Sequence, residues 1–187
     1  QTLFWRSLSG GVAILPLLFH QGWGHVRTQR PAAQIVRNLF NFLGQYGWFY
    51  AIGVISLAEV FALEFTTPIW TALLAFLFLK ERLTVPRVAA ITLGFAGILL
   101  ITRPGVEAIH PAAFAVLGAA IAYAVSYTMV KSLTATESPL TILVYMTVVQ
   151  LPISLAFSVD GWVWPSAAAW PWIVGVGLSG LTAHYCM

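Results

Sequence analysis

Residues 59–84 read EVFALEFTTPIWTALLAFLFLKERLT and, after Val85, residues 86–105 read PRVAAITLGFAGILLITRPG. Two apolar runs, 59–79 and 86–102, flank the charged turn Lys80-Glu81-Arg82. Each run has roughly the 20 residues that a helix rising 1.5 Å per residue needs to cross a hydrocarbon core of about 30 Å. Charges are costly inside hydrocarbon, so the turn belongs at a membrane surface and the two runs read as consecutive membrane-crossing helices.

The rest of the chain repeats this pattern. Of 187 residues, 59% are hydrophobic and 8% charged, against about 25% charged in a soluble domain. A soluble globular domain is excluded, and the fold class is all-α, a polytopic helical membrane protein. Seven spans are predicted: 3–19, 38–58, 59–79, 86–102, 111–131, 139–158 and 170–187. The second and third form one stretch too long for a single crossing, broken near Ser56 and Glu59 into a tight hairpin. Pro86, Pro111 and Pro139 sit at span starts, where a missing N–H costs little. The chain opens on Gln1 and stops at Met187 inside an apolar run, so it reads as a fragment cut at both ends and is expected to be inactive alone.

The formal charge of +3 points to membrane topology, with no basic, aromatic-rich patch for nucleic acid. Alternating spans place Arg27, Arg30, Arg37, Lys80, Arg82, Arg87 and Lys131 on one side, seven of the nine basic residues, which assigns that side to the cytoplasm. Arg6, Arg103, Glu107 and Asp160 fall on the other. Trp162, Trp164, Trp170 and Trp172 mark an interfacial belt at the last outer loop. Cys186 has no partner for a disulfide, and the four histidines lack metal-ligand spacing, so neither a metal nor a cofactor is expected. Leu15-Pro16 recurs as Leu151-Pro152 and, at the same offset, Gly44 as Gly180. The echo falls five spans apart, an odd number, as in an inverted repeat.

The stretch from Glu59 to Gly105 resembles the EamA family of the drug/metabolite transporter superfamily. Pro68, Lys80-Glu81-Arg82-Leu83, Gly94, Gly97 and Pro104-Gly105 stand at the family's motif positions, with Lys80 where glycine is frequent. Phe4-Trp5-Arg6-Ser7 resembles the family's second helix. The resemblance implies ten helices in two inverted five-helix repeats. Residues 1–105 would be helices two to five of the first repeat, and 106–187 helices six to eight of the second. It also implies a substrate cavity lined from both repeats.

Glu64, Thr67, Pro68 and Thr71 follow i, i+3, i+4, i+7 spacing and share a helix face. A carboxylate at membrane depth is a functional hypothesis by default, and Pro68 withholds an N–H from the Glu64 carbonyl. This face is the leading cavity candidate, against the alternative of a packed proline kink. Glu59 lies about 140° around the helix from Glu64, so the two do not pair. Tyr46 and Tyr50 mark an aromatic stripe on the second span, and Tyr123 with Tyr127 a stripe on the fifth. Hydroxylated rings suit an amphipathic solute, although core packing is the commoner use. His184 is a weaker candidate for proton relay. Arg6 reads as an interfacial anchor, Glu81 as a pairing or capping residue in its turn, and Gly94 with Gly97 as a site of close helix approach or homodimer contact.

No hydrolase or phosphate-binding motif is found, and no lysine lies within the last span to carry a Schiff base. The expected function is secondary transport, not catalysis. A small metabolite or amphipathic solute would cross a bacterial-type inner membrane by alternating access, with export as the expected direction and Glu64 as the proton-coupling candidate. The alternative is a non-transporting membrane scaffold or partner subunit.

Overall fold

The computed structural model describes the chain except for Leu83, residues 103–109, Asp160 and Met187. Arg103, Pro104-Gly105, Glu107 and Asp160, used above for topology and resemblance, therefore lie outside the described residues, as does Leu83 of the turn motif. The described residues form α1 (Thr2–Gln21), α2 (Pro31–Ile52), α3 (Leu57–Glu64), α4 (Thr67–Leu79), α5 (Val85–Thr102), α6 (Pro111–Leu133), α7 (Pro139–Ala156) and α8 (Trp170–Tyr185). No strand is present among them. With α3 and α4 taken as one interrupted segment, the helices correspond to the seven predicted spans.

Among the described residues, four segments are long and apolar enough to cross a membrane: α1, α3 with α4, α6 and α7. The apolar part of α5 is shorter, and α8 has 16 residues. The 22 residues of α2 are long enough, but Gln34, Arg37, Asn38, Asn41 and Gln45 lower its hydropathy. All five are buried, at spacings that place them on one helix face. The prediction began this span at residue 38 and left Arg37 in a loop. The helix instead begins at Pro31, whose fixed φ and missing N–H suit a first helical position. Arg37 is thereby drawn inside, fully buried, with Nη1 donating to the Ile142 carbonyl at 3.2 Å.

Two compact units emerge from the packing, residues 1–39 with 133–187, and residues 40–132. They are packing units and do not follow the sequence division at 105/106. In the first, α1 packs on α7 and α8 around Ile14, Leu18, Leu140, Leu143, Val144 and Leu181. Gly177 permits the α1–α8 approach, since a Cβ there would overlap the Ser9 hydroxyl and lie 3.2 Å from the Arg6 carbonyl. Trp5 makes ring contacts with Trp162, Trp164 and Trp170, so three of the four belt tryptophans are also packed against α1. On the side assigned to the cytoplasm, the buried Glu137 carboxylate accepts from the Thr28 hydroxyl and from Gln29 N at 2.8 Å. That carboxylate ties the α1–α2 connection to the α6–α7 turn.

In the second unit α6 presents a run of small buried residues, Ala112, Ala113, Ala119, Ala120, Ala122 and Ala124. Lipid tails are as apolar as a leucine side chain, so helices associate here by close van der Waals contact, which small residues allow. At Gly47 of α2 an added Cβ would stand 3.0 Å from the Ala115 backbone carbonyl and 3.4 Å from Ala119 Cβ. Near this contact Ala51, Val60 and Val116 are buried against Trp48, Ile52, Ile55 and Leu63. Ser56 caps α3, its hydroxyl accepting from Glu59 N at 3.2 Å. At the other end of the segment, α4 stops at Lys80, whose φ of 54° is left-handed, and Glu81 N returns to the Ala75 carbonyl at 3.2 Å. Gly47→Val is expected to force the α2 and α6 backbones apart and to destabilise the protein by about 1–3 kcal/mol, read as a lowered melting temperature in detergent.

Candidate functional site

The interrupted segment positions the site. Helix α3 ends at Glu64, and Phe65 and Thr66 make a turn before α4 begins at Thr67. Pro68, second in α4, has no N–H for the Glu64 carbonyl four residues back. Part of the local demand is met internally, with the Thr66 hydroxyl donating to the Leu63 carbonyl at 2.7 Å, while within α4 the Thr71 hydroxyl bonds back to the Thr67 carbonyl at 2.8 Å. The continuous-face reading of residues 64–71 thus crosses a break, yet Glu64, Thr67, Pro68 and Thr71 still come together.

They line a cavity of about 960 Å³ within the second unit. Phe61, Phe65, Ile69, Arg87, Ile98 and Tyr127 contribute further walls. The Glu64 carboxylate accepts from Trp48 Nε1 at 2.7 Å, and Trp48 meets Phe61 edge-on at 6.0 Å. The Thr67 hydroxyl is buried and has no hydrogen-bond partner in the structure, an arrangement rare in packed interiors. Gly94 and Gly97 also belong to this cavity, and a Cβ at either would meet nothing within 4 Å. The close approach of a neighbouring helix expected at these two positions is therefore not seen among the described residues. With neither side chain, they widen the cavity.

The other sequence candidates lie elsewhere. Tyr46 and Tyr50 are about half exposed and absent from the lining, as is Tyr123, which stacks on Tyr127 at 5.9 Å with the rings 8° from parallel. Tyr127 of that pair lines the cavity. His184 belongs to α8 in the first unit, within electrostatic reach of Arg37 and Arg6. Sequence reasoning missed the role of Trp48 as donor to Glu64 and the buried polar row of α2. The second was signalled by Gln34, Arg37, Asn38, Asn41 and Gln45 recurring at helical spacing, and the first only by proximity of Trp48 to the Tyr46 stripe.

The turn after α4 carries a charge cluster. Glu81 pairs with Lys131 Nζ and, at 3.2 Å, with Arg87 Nη1. Hydrogen bonds from Lys131 and then from Arg87 hold the Glu81 carboxyl below the usual carboxylate range. No group of His, Cys, Asp and Glu among the described residues is arranged to hold a metal.

An all-helical chain with membrane-crossing segments and a carboxylate-bearing cavity at a helix break defines a multi-pass membrane protein. Residues 1–103 match the model of the EamA-like transporter family, and the chain belongs to that family. It is 27% identical over 180 residues to an S-adenosylmethionine uptake transporter of Rickettsia felis, covering 96% of this chain and 61% of the relative. It is 32% identical over 183 residues to a riboflavin transporter of Rhizobium johnstonii, covering 97% and 61%. A riboflavin transporter of Brucella anthropi is 30% identical over 188 residues, covering 97% and 66%. The chain thus spans about three-fifths of the length of the first two. A crystal structure at 19% identity aligns over 98% of this chain and 66% of its own with a TM-score of 0.76, which shows a shared fold.

Trp48→Phe keeps the ring contact with Phe61 and removes the donor to Glu64. A hydrogen bond to a carboxylate is worth about 1.5–3 kcal/mol, so this variant is expected to melt measurably below wild type in detergent, while Glu64→Gln, which retains an acceptor oxygen for Trp48, melts closer to it.

Proposed function

We propose that this chain is the greater part of a secondary carrier that moves a small organic solute through the α3–α6 cavity by alternating access. The observation that carries the reading is the cavity at the α3–α4 break, where Glu64 and the unpartnered Thr67 hydroxyl share a space walled by Phe61, Phe65 and Tyr127. Aromatic walls supply apolar contact and cation-π attraction, and the few polar groups orient the solute. A flat, nitrogen-bearing heterocycle with a polar tail suits such a site. S-adenosylmethionine and riboflavin, named for the relatives, are both of this kind. The uptake named for the rickettsial relative favours import over the export expected from sequence. The whole carrier is read as two inverted repeats, with 1–105 in the first and 106–187 in the second, in a bacterial-type inner membrane. Glu64 is its proton-coupling candidate.

The test is flux into membrane vesicles that carry the whole carrier, across a panel of heterocyclic solutes, with and without a pH gradient. Saturable uptake is expected, reduced at least about tenfold in Glu64→Gln, the scale of one lost charged interaction. Thr67→Val is expected to weaken uptake without lowering the melting temperature, because it removes a buried hydroxyl that has no structural partner. Uphill uptake by Glu64→Gln with unchanged pH dependence would remove the coupling role. Absence of flux for every solute would return the chain to a scaffold.

A further inference from the structure

The second unit carries an ion cluster at the edge of its cavity. Glu81 lies just past the end of α4, Arg87 in the first turn of α5 and Lys131 in the last turn of α6. Those three helix ends belong to the side that the basic loops assign to the cytoplasm. Arg87 does two things at once, lining the cavity and holding Glu81 at 3.2 Å. Below it on α5 the cavity residues Ala90, Ile91 and Gly94 follow at i+3, i+4 and i+7, on the same helix face. On α6, Lys131 stands one turn beyond Tyr127, which also lines the cavity. The cluster therefore joins three of the cavity's walls at its cytoplasmic edge.

Glu81 is placed by backbone, not by a loose loop. The left-handed Lys80 reverses the chain, and Glu81 N is bonded back to the Ala75 carbonyl. Its carboxylate then accepts from both basic partners, whose side chains stay partly or largely water-accessible, at 35% for Arg87 and 59% for Lys131. Ion pairs at a wet edge are individually weak. That suits bonds that must break and re-form in every cycle better than bonds that hold a fold together.

We propose that Glu81, with Arg87 and Lys131, forms the cytoplasmic gate of this cavity: the assembled cluster draws the α4 end, α5 and α6 together, and its opening admits water and solute from that side. The inference rests on the reading of the cavity as a solute path, and its test needs no solute. Gly94 offers a reporter position, since a side chain there meets open space inside the cavity. In a Cys186→Ala background, Gly94→Cys would be labelled with a membrane-impermeant maleimide from the cytoplasmic face of inside-out vesicles.

Adding Glu81→Gln is expected to raise the labelling rate about three- to tenfold, the shift that follows when a weak latch stops favouring one of two states. Lys131→Gln should move it in the same direction, and the exchange Glu81→Lys with Lys131→Glu should return it toward the starting rate. Labelling unchanged in both single variants, or raised in them and not reduced by the exchange, would overturn the gate. Absent flux together with latch-dependent labelling would instead count against the transport reading while leaving the gate in place.

Discussion

A backbone amide in hydrocarbon has no water to bond, so a chain crossing a membrane is held to continuous helix wherever it faces lipid. The break between Glu64 and Thr67 gains its meaning from that constraint. A turn of two residues followed by Pro68 leaves carbonyls without their helical donors. Such a turn is tolerated where it borders a polar space or where neighbouring groups answer it. Thr66 answers part of the demand at the Leu63 carbonyl, and Trp48 reaches across from α2 to the Glu64 side chain. The cavity lies where helical hydrogen bonding is interrupted, and the interrupted segment supplies Glu64, Thr67 and Thr71 to its lining, beside Arg87 and Tyr127 from α5 and α6.

The same solvent removes the usual driving force for packing. A buried alanine on α6 gains little from leaving lipid, and its contribution is to let another backbone come near. Gly47 against Ala115 and Gly177 against Arg6 and Ser9 are two places where two helices approach this closely. Polar residues do the opposite work on α2. Buried away from lipid, Asn38 donates to the Gln34 carbonyl at 2.8 Å and Gln45 to Asn41 at 2.6 Å, so that part of the polar row of this helix is answered by its own turns.

Much of the fold was legible because membrane thickness sets one length scale and proline marks several starts. Pro111 and Pro139 open α6 and α7, whereas Pro68 was read for a freed carbonyl or a kink and not for the break that separates α3 from α4. The start of α2 was less legible because the rule that finds apolar runs discards the polar face that this helix buries. Within the site, Glu64, Thr67, Pro68 and Thr71 were found together because they are neighbours along one segment. The tyrosines were harder to place. A stripe of Tyr46 and Tyr50 identifies a helix face without saying what it meets, and these two rings turned out half exposed. Contacts made through a third dimension, such as Trp48 to Glu64 across the intervening hairpin, leave no spacing rule to read.

Lys80 ends α4 in a conformation that costs a side-chain-bearing residue about 1–2 kcal/mol and that glycine adopts freely. By the positive-inside rule, however, a lysine charge at this turn favours its retention on the cytoplasmic side as a chain is threaded into the bilayer. A glycine would relax the finished turn and weaken the signal that decides which way the hairpin is inserted. At this position strain in the finished turn is set against a charge that favours one orientation of the hairpin.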